Sequence, residues 1–131
     1  MKCVNLESSR RDEMIDISNE VQRLLSASDI KDGLVVVYCP HTTAGLTINE
    51  GLDPAVKADL IGCLVDLVPW DKIYGHAEGN SPAHVKASLM GSSVTVMALD
   101  GKLVLGQWQR IFFCEFDGPR SRTFYVKIIN S

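Results

Sequence analysis

The 131-residue chain lacks the short motifs that mark the commonest nucleotide-binding, hydrolase and zinc sites. It contains no Walker loop, no GxGxxG or GxSxG segment, no HExxH pair and no C-x-x-C pair among its four cysteines. A phosphate-binding loop, a nucleophile elbow and a zinc-finger spacing are therefore all missing. The candidates for a functional site are instead single residues spread along the chain.

The chain also lacks a strong excess of charge and any long apolar run. Its 13 Lys and Arg residues against 16 Asp and Glu residues give a net charge of −3, without the basic excess typical of nucleic-acid or membrane binding. No apolar run approaches the roughly 20 residues that span a bilayer, and the apolar segment of a signal peptide does not follow Met1. We therefore expect neither nucleic-acid nor membrane partners.

The four cysteines are scattered, which argues against a disulfide framework. Cys39 and Cys114 lie inside apolar runs, where the expected role is that of a small buried hydrophobic residue. We therefore expect a reduced, cytoplasmic protein without structural disulfides.

Composition and turn signals predict a single α+β domain over residues 1–131, with a mainly antiparallel or mixed β-sheet body and two to three helices. With 46% hydrophobic and 22% charged residues, a chain of this length buries about two thirds of its unfolded surface. Helices are predicted from Ser18 to about residue 25, from Asp53 to about 68 and from Ser81 to about 90, with these three residues as N-caps. Strands are predicted near residues 3–9, 14–17, 33–39, 46–50, 93–97, 103–105, 109–116 and 123–129.

Three features of these predicted elements concern their packing. The segment 33–39 is continuously apolar and rich in valine, which is typical of a strand buried on both faces. The strands after residue 93 are separated by short turns, which favours an antiparallel meander. The second helix carries an apolar stripe from Val56 to Leu67, at spacings of three and four residues, that is expected to face the core.

The sequence has only three histidines, and each lies beside glycine, proline or small polar residues at the end of a predicted element. His41 follows the apolar strand, His76 lies in a polar loop, and His84 falls in the first turn of the helix that starts at Ser81. Three neutral imidazoles are a common ligand set for Zn²⁺ or a similar cation. A polar loop that enters a helix N-terminus also suits an anion. Metal ligation, anion binding and ordinary hydrogen-bonding roles for the histidines are all open at this point.

Carboxylates, amides and arginines near the histidines complete the set of candidates. Glu50 is a candidate proton acceptor, or a partner that orients a ligating imidazole. Asn80 is either a catalytic residue or a simple turn residue. Arg120 and Arg122 follow a predicted turn and suit a phosphate or carboxylate of a substrate or cofactor, with solvated arginines as the ordinary alternative.

The segments that contain these residues resemble the secondary thiamine-phosphate synthase family, also called YjbQ-like. The resemblance rests on HTTAGLTINE at 41–50, YGHAEGNSPAH at 74–84, GKLVLGQWQ at 101–109 and EFDGPRSR at 115–122, and it covers essentially the whole chain. It implies a small cytoplasmic α+β protein that forms a homotrimer. It also implies that His41, His76 and His84 are the ligands of a metal ion, with Glu50 and Asn80 beside them.

The same resemblance implies an activity on small phosphorylated molecules. This activity joins a hydroxymethylpyrimidine diphosphate to a thiazole phosphate and releases pyrophosphate, a displacement that calls for a cation on the leaving group. Zn²⁺ suits imidazole ligands, and Mg²⁺ or Mn²⁺ are the alternatives. Two other functions stand beside it. One is a metal-dependent hydrolase or lyase acting on another small anionic substrate, with Glu50 as base. The other is a non-catalytic oligomer that binds a metal or a metabolite.

Overall fold

The computed structural model describes residues 1–72, 74–75 and 79–131. The described chain folds into strands and three helices, which confirms the predicted α+β class. The helices are α1 (Ser18–Ala27), α2 (Pro54–Leu67) and α3 (Ser81–Met90). The strands are β1 (Lys2–Glu7), β2 (Glu13–Asp16), β3 (Gly33–Tyr38), β4 (Ala44–Glu50), β5 (Ser93–Leu99), β6 (Lys102–Leu103), β7 (Gln109–Glu115) and β8 (Ser121–Asn130).

The strands form two antiparallel sheets rather than one continuous meander. The larger sheet has the order β1-β8-β3-β5-β6, and the smaller one has the order β2-β7-β4. The predicted meander is therefore wrong beyond the β5–β6 hairpin, because β7 leaves the larger sheet and pairs with β2 and β4. Turn residues predict that the chain reverses direction, but they do not predict which strand the following strand pairs with.

The main core lies between the two sheets and is closed at one side by α1. Alternate residues of β3, β5 and β8 point inward from the larger sheet, since side chains along a strand face opposite sides in turn. They meet the inward residues of β4 and β7 and two residues of α1. The fully buried members of this core include Val21, Leu25, Val35, Val37, Leu46, Ile111, Phe113, Phe124 and Val126.

A second apolar cluster covers the other face of the smaller sheet. Phe112 and Cys114 of β7 pack there against Ala83 and Ala87 of α3, with α2 over the remaining area. The central strand β7 is thus buried on both faces. The sequence predicted this property for β3, and within one subunit that prediction is wrong, because Leu34 is 42% exposed on the outer face of the larger sheet.

The helix boundaries follow the local signals closely, but the capping residues differ. Asp53 is the N-cap of α2 as predicted, and its Oδ1 accepts a hydrogen bond from the main-chain nitrogen of Ala55 at 2.9 Å. Ser18 is instead the first residue of α1, because its hydroxyl accepts a hydrogen bond from the Ile111 amide of β7. Ser81 is likewise the first residue of α3, with Asn80 at the N-cap.

Helix α2 is the most loosely packed of the three helices. Only Leu60 and Leu64 of its predicted apolar stripe pack against the second cluster, together with Ile61, which lies off that stripe. Cys63 and Leu67 of the stripe are exposed, and no residue of the helix is fully buried. Within the described part of the chain, no helix is both long and apolar enough to cross a membrane.

Candidate functional site

A polar cavity of about 400 Å³ lies where the end of β3, the start of β4, the start of α3 and the β7–β8 loop meet. It contains five of the residues that the sequence analysis singled out, although they are spread over 82 positions of the chain. Its lining residues are Pro40, His41, Thr42, Thr43, Asn80, His84, Arg120 and Arg122. We call it the histidine cavity.

Close packing between α3 and β4 places His84 in this cavity. Gly45 of β4 faces the end of α3, and a Cβ atom at this position would lie 2.7 Å from the carbonyl oxygen of Gly91. That distance is shorter than van der Waals contact allows, so only glycine lets the helix approach the strand this closely. The approach is completed by a hydrogen bond of 3.0 Å from the Leu46 amide to the Gly91 carbonyl oxygen.

A buried lysine fixes the opposite side of α3. Lys86 is fully buried, and its ammonium group forms an ion pair with the Asp12 carboxylate. The ammonium also lies 5.4 Å from the ring centroid of Phe116 and 5.9 Å from that of Trp70, within the range of cation–π attraction. Because a buried charge needs such partners, these contacts hold the helix that carries His84 in one position.

The imidazole of His41 continues the hydrogen bonding of β8 past the end of β3. The last β3–β8 pair is Tyr38 with Tyr125, and the ring of His41 lies beside the main chain of Thr123, two residues further on. Its Nε2 atom is 3.1 Å from the Thr123 carbonyl oxygen and 3.0 Å from the Thr123 amide nitrogen. When Nε2 carries the hydrogen, it donates to this carbonyl and leaves the lone pair of Nδ1 for a ligand or a proton. In the other tautomer, Nε2 accepts from the amide and Nδ1 is the donor.

The surroundings of His41 favour its neutral form. Burial is the largest cause that lowers the pKa of this imidazole below its ordinary 6.5, and the nearby positive charge of Arg122 lowers it further. The hydrogen bond to Thr123 acts in the opposite direction but is outweighed. A neutral imidazole near pH 7 is the form that can bind a metal ion or accept a proton.

Arg122 forms the floor of the cavity through a buried ion pair. Its Nε and Nη2 atoms donate to the two carboxylate oxygens of Glu115 at 2.8 and 2.5 Å. Nη2 also donates to the hydroxyl of Thr43 at 2.8 Å. Within the described residues Nη1 has no such partner, so it is the edge of the guanidinium group that is left for a ligand. The Glu115 pKa lies below its ordinary value, because its bonds to Arg122 and Ser8 outweigh the opposing effect of burial.

The Asp117 carboxylate orients the side chains of Asn80 and Arg120 in the cavity. Its Oδ2 atom accepts hydrogen bonds from Asn80 Nδ2 at 2.9 Å and from Arg120 Nη2 at 2.8 Å. Since a carboxylate only accepts, the amide nitrogen of Asn80 must face Asp117 and its Oδ1 must face away. This Oδ1 is buried and has no hydrogen-bond partner among the described residues.

Glu50 is the predicted site residue that the structure places elsewhere. It lies at the far end of β4, roughly 20 Å along the strand from the residues that line the cavity. Its Oε1 accepts hydrogen bonds from the amides of Leu52 and Asp53 at 3.1 and 2.8 Å, which shapes the turn before α2. Glu50 is not among the described residues that line the histidine cavity. His76, the third predicted metal ligand, and its neighbour Glu78 lie outside the described residues.

The residues that orient the site are not predicted from the sequence. Glu115 had one local signal, because it is the single charged residue in the apolar run Ile111–Phe116, and a buried charge implies a buried partner. Asp117 and Thr123 had none, since a turn aspartate and a strand threonine are ordinary in those positions. Their roles depend on contacts with residues 37 and 82 positions away.

The cavity has part of the chemistry of a metal site. His41 and His84 are imidazole residues that line the same cavity. Imidazole suits Zn²⁺ and related cations. The described residues contain no group of three His, Cys, Asp or Glu side chains that holds a metal ion by itself. The two imidazoles are of the donor type that suits such a cation but do not form a site by themselves, and His76 is the predicted third imidazole.

Two antiparallel sheets, three helices and a cavity lined by histidine and arginine define a small α+β protein with a candidate site for a polar ligand. Comparison with known proteins gives a more specific answer. The family described as "UPF0047 protein YjbQ-like" matches residues 2–131. This chain therefore belongs to the YjbQ-like UPF0047 family.

Individual relatives support the same assignment over nearly the full length. The chain is 53% identical over 124 residues to the UPF0047 protein MJ1081 of Methanocaldococcus jannaschii, covering 95% of this chain and 90% of that protein. It is 48% identical over 130 residues to YugU of Bacillus subtilis, covering 98% of both chains. A crystal structure of a YjbQ/UPF0047 family protein from Clostridium acetobutylicum matches with 51% identity and a TM-score of 0.97, over 98% of this chain and 100% of that one.

A more distant relative has the same fold. The crystal structure of a YbjQ-like protein from Sulfolobus solfataricus is 28% identical to this chain, yet it matches with a TM-score of 0.95 over 99% of this chain and 96% of that one. The two-sheet architecture therefore persists at low sequence identity.

Proposed function

We propose that the histidine cavity binds a divalent metal ion and a small phosphorylated substrate, and that the protein is a metal-dependent enzyme. The observation that carries this proposal is the meeting of His41, His84, Asn80, Arg120 and Arg122 in one cavity. Imidazole and guanidinium groups that line one cavity serve two purposes, because the first suit a cation and the second suit an anion.

The metal would be held by His41 and His84, with His76 as the expected third ligand. Zn²⁺ is the favoured ion because of the imidazole donors, and Mg²⁺ or Mn²⁺ are the alternatives. His41 is suited to this role because its Nε2 lies next to a main-chain carbonyl, the usual arrangement that orients a ligating imidazole. When bound, such an ion stabilises negative charge that develops on a phosphate leaving group.

The anion would lie on the arginine side of the cavity. Within the described chain, the hydrogen bonds of Arg120 to Asp117 use its Nε and Nη2 atoms and leave Nη1 for a ligand. The hydrogen bonds of Arg122 to Glu115 and Thr43 likewise use Nε and Nη2 and leave Nη1. The N-terminal end of α3, whose cap residue Asn80 makes no side-chain capping bond, opens on the same cavity. Helix N-termini and arginine forks both favour phosphate groups.

For the reaction, we propose the displacement that the family resemblance implies, in which a hydroxymethylpyrimidine diphosphate and a thiazole phosphate give thiamine phosphate and pyrophosphate. The test is pyrophosphate release by the purified protein loaded with Zn²⁺, Mg²⁺ or Mn²⁺. His41→Ala and removal of the metal by a chelator are each expected to abolish release. Release that neither change affects would remove this activity.

One observation favours a second candidate, the hydrolysis or elimination of a single phosphorylated substrate. The displacement needs two phosphorylated substrates at once, whereas the described lining of the cavity has one pair of arginines and no lysine. Turnover of phosphate esters that requires Zn²⁺ or Mn²⁺, without any thiamine phosphate formed, would select this candidate. In that case Glu50 is not the base within one subunit, because it lies at the far end of β4. Binding without turnover under every metal would select a non-catalytic role.

We further propose that the protein is a cytoplasmic homotrimer. Its four cysteines are free, which suits a reducing compartment. An apolar hollow on the outer face of the larger sheet supports self-association, because Leu34, Met97, Leu99 and Ile129 line it and are 42–60% exposed.

Met97→Glu is expected to reduce the mass measured by light scattering to that of a monomer. Leu67→Glu, at an equally apolar exposed site on α2, is expected to leave the mass unchanged. A monomeric wild-type protein would contradict the proposal.

A further inference from the structure

The apolar hollow on the outer face of the larger sheet, lined by Leu34, Met97, Leu99 and Ile129, needs a partner surface that differs from itself. In a homotrimer with threefold symmetry, each contact joins two different surfaces of the chain. A contact between two hollows would close as a dimer, because a twofold interface pairs the same surface of both copies. The surface that covers the hollow in the proposed homotrimer therefore lies elsewhere on the chain.

Trp108 and Leu52 form a second exposed apolar surface, which we call the tryptophan patch. Their exposed fractions are 56% and 59%. The Gly51 amide donates to the Trp108 carbonyl oxygen at 3.0 Å, so the segments before β7 and after β4 lie side by side. Residues 103–109, which lead into β7, include no charged side chain. This composition is typical of the centre of a protein interface, where charged residues are depleted and tryptophan is enriched.

The tryptophan patch adjoins the hollow around one edge of the two-sheet sandwich. β6 is the edge strand of the larger sheet, and β7, the next strand along the chain, lies in the smaller sheet. The connection between them therefore crosses from one sheet to the other. Val104, at the start of this connection, lines the hollow, and Trp108 at its end belongs to the patch. Two surfaces that meet at an edge are inclined to each other, as the closure of a ring of three copies requires.

Helices α2 and α3 also expose large apolar side chains, but they lie on the wrong side for a closed ring. Both helices cover the face of the smaller sheet that points away from the larger sheet, opposite the hollow. Contacts between opposite surfaces place copies in an open row instead of a ring. The exposed residues concerned are Val65 and Leu67 on α2 and Val85 and Leu89 on α3.

The hollow also offers a hydrogen-bond acceptor for an indole. Asp32 lines it, and the Asp32 Oδ1 atom accepts a hydrogen bond from the Asp100 amide at 3.0 Å. Within the described chain, Asp32 Oδ2 accepts no hydrogen bond. A buried tryptophan usually donates its N–H to such an acceptor. The volume of the hollow, about 510 Å³, leaves room for the indole ring.

We propose that Trp108 of one copy inserts into the apolar hollow of the next copy, and that three such contacts close the homotrimer. Leu52 packs at the rim of the same hollow. The partner is thus a second copy of this chain, bound through two different surfaces. This inference rests on the proposed homotrimer.

Static light scattering of single variants is the first test. Trp108→Glu is expected to lower the mass of the wild-type trimer to that of a monomer, since a carboxylate in the hollow would be buried without a positive partner. Leu52→Glu should make the trimer dissociate on dilution, so a misfolded Trp108→Glu does not block the test. Leu67→Glu, at an exposed apolar position on α2, is the control and should leave the trimer mass unchanged.

A mixture of two monomeric variants tests the pairing of the two surfaces. Met97→Glu blocks the hollow and keeps Trp108, whereas Trp108→Glu keeps the hollow. Mixed in equal amounts, the two variants share one intact contact, so the mass should double to that of a dimer and rise no further. The tryptophan emission should also shift to shorter wavelength on mixing, because the Trp108 indole of the Met97→Glu copy becomes buried.

The outcomes separate this inference from the homotrimer itself. A trimeric wild type whose mass is unchanged in both Trp108→Glu and Leu52→Glu overturns the contact between Trp108 and the hollow. A mixture of the two monomeric variants that stays monomeric also overturns it. A wild type that is not trimeric instead overturns the proposed homotrimer.

Discussion

The guanidinium group of Arg122 and the carboxylate of Glu115 form a two-bond ion pair that joins the two sheets at the floor of the histidine cavity. Arg122 is 5% exposed and Glu115 is not exposed at all. Arg122 reaches from β8 of the larger sheet, and Glu115 ends β7 of the smaller one. The pair therefore holds the two sheets together and also fixes the position of Arg122 in the histidine cavity.

Replacement of one partner of this pair should be strongly destabilising. In Arg122→Met the Glu115 carboxylate stays buried without a positive partner, and such a loss costs about 3–5 kcal/mol in the free energy of unfolding. Urea denaturation followed by circular dichroism measures the change.

The matched control is a charge pair of the same type on the surface. Arg23 pairs with Glu20 on α1 at 2.5 Å, but the Arg23 side chain is 62% exposed. Arg23→Met should leave the unfolding midpoint unchanged within error, because water screens such a pair. The double variant Glu115→Leu with Arg122→Met should recover most of the loss, since no unpaired charge is then buried. An equal effect of Arg122→Met and Arg23→Met would contradict this account.

The stability of the protein should fall between pH 7.5 and 5.5 because of His41. Its pKa in the folded protein lies below the ordinary value of 6.5, so the unfolded chain binds more protons as the pH falls through 6.5. Stability is therefore fully present above pH 6.5 and is lost toward lower pH, by at most about 1.4 kcal/mol per pH unit for one group.

Urea midpoints at pH 7.5, 6.5 and 5.5 measure this contribution. His41→Gln should remove its share of the slope, because glutamine keeps a hydrogen-bonding side chain without a titrating group. Glu115 does not affect the stability measured over this pH range. Because its pKa is lowered in the folded protein, its contribution to the free energy of unfolding is lost only below about pH 4.5. A wild-type slope that is unchanged in His41→Gln would show that other groups cause it.

Zinc should stabilise the wild-type protein and not a variant that lacks a ligand. At a free Zn²⁺ concentration of about 100 times Kd, binding to the folded state alone contributes about 2.7 kcal/mol, which calorimetry detects as a higher Tm. His84→Ala should lose this increase, and a chelator should reverse it in the wild type. Glu50→Gln is the control, because Glu50 shapes the turn before α2 and should leave the zinc effect unchanged. Equal stabilisation of His84→Ala and the wild type would contradict the assignment of this histidine.

Two of the four thiols should react with a colorimetric disulfide reagent in the native protein. Cys3 and Cys63 are exposed, whereas Cys39 and Cys114 are buried in the two cores. Burial raises the pKa of Cys114 to about 12 and that of Cys39 above its ordinary value, so neither forms the reactive thiolate near pH 8. All four thiols should react in denaturant. Rapid reaction of three or more in the native state would contradict the buried positions.

The local elements of this protein follow from neighbouring residues, and the sequence therefore predicts them well. Asp53 followed by Pro54 starts α2 where expected, and Gly91 ends α3 with a positive φ. Such signals work because a cap or a turn depends on a few adjacent residues. The sequence also names Arg122, Asn80 and the histidines as candidates, because polar residues at the ends of apolar elements are unusual enough to be noticed.

The pairing of the strands and the composition of the cavity are decided by the tertiary structure. Periodicity shows which face of a strand is apolar, but it does not show what covers that face, so the doubly buried strand is β7 and not β3. For the same reason Glu50, nine residues after His41 in the chain, lies at the far end of β4, while Arg122 and Thr123 lie beside the histidine. The sequence alone determines the elements and the candidate residues. Only the packing of the two sheets and α3 decides which of those residues meet, because that depends on contacts between residues about 80 positions apart.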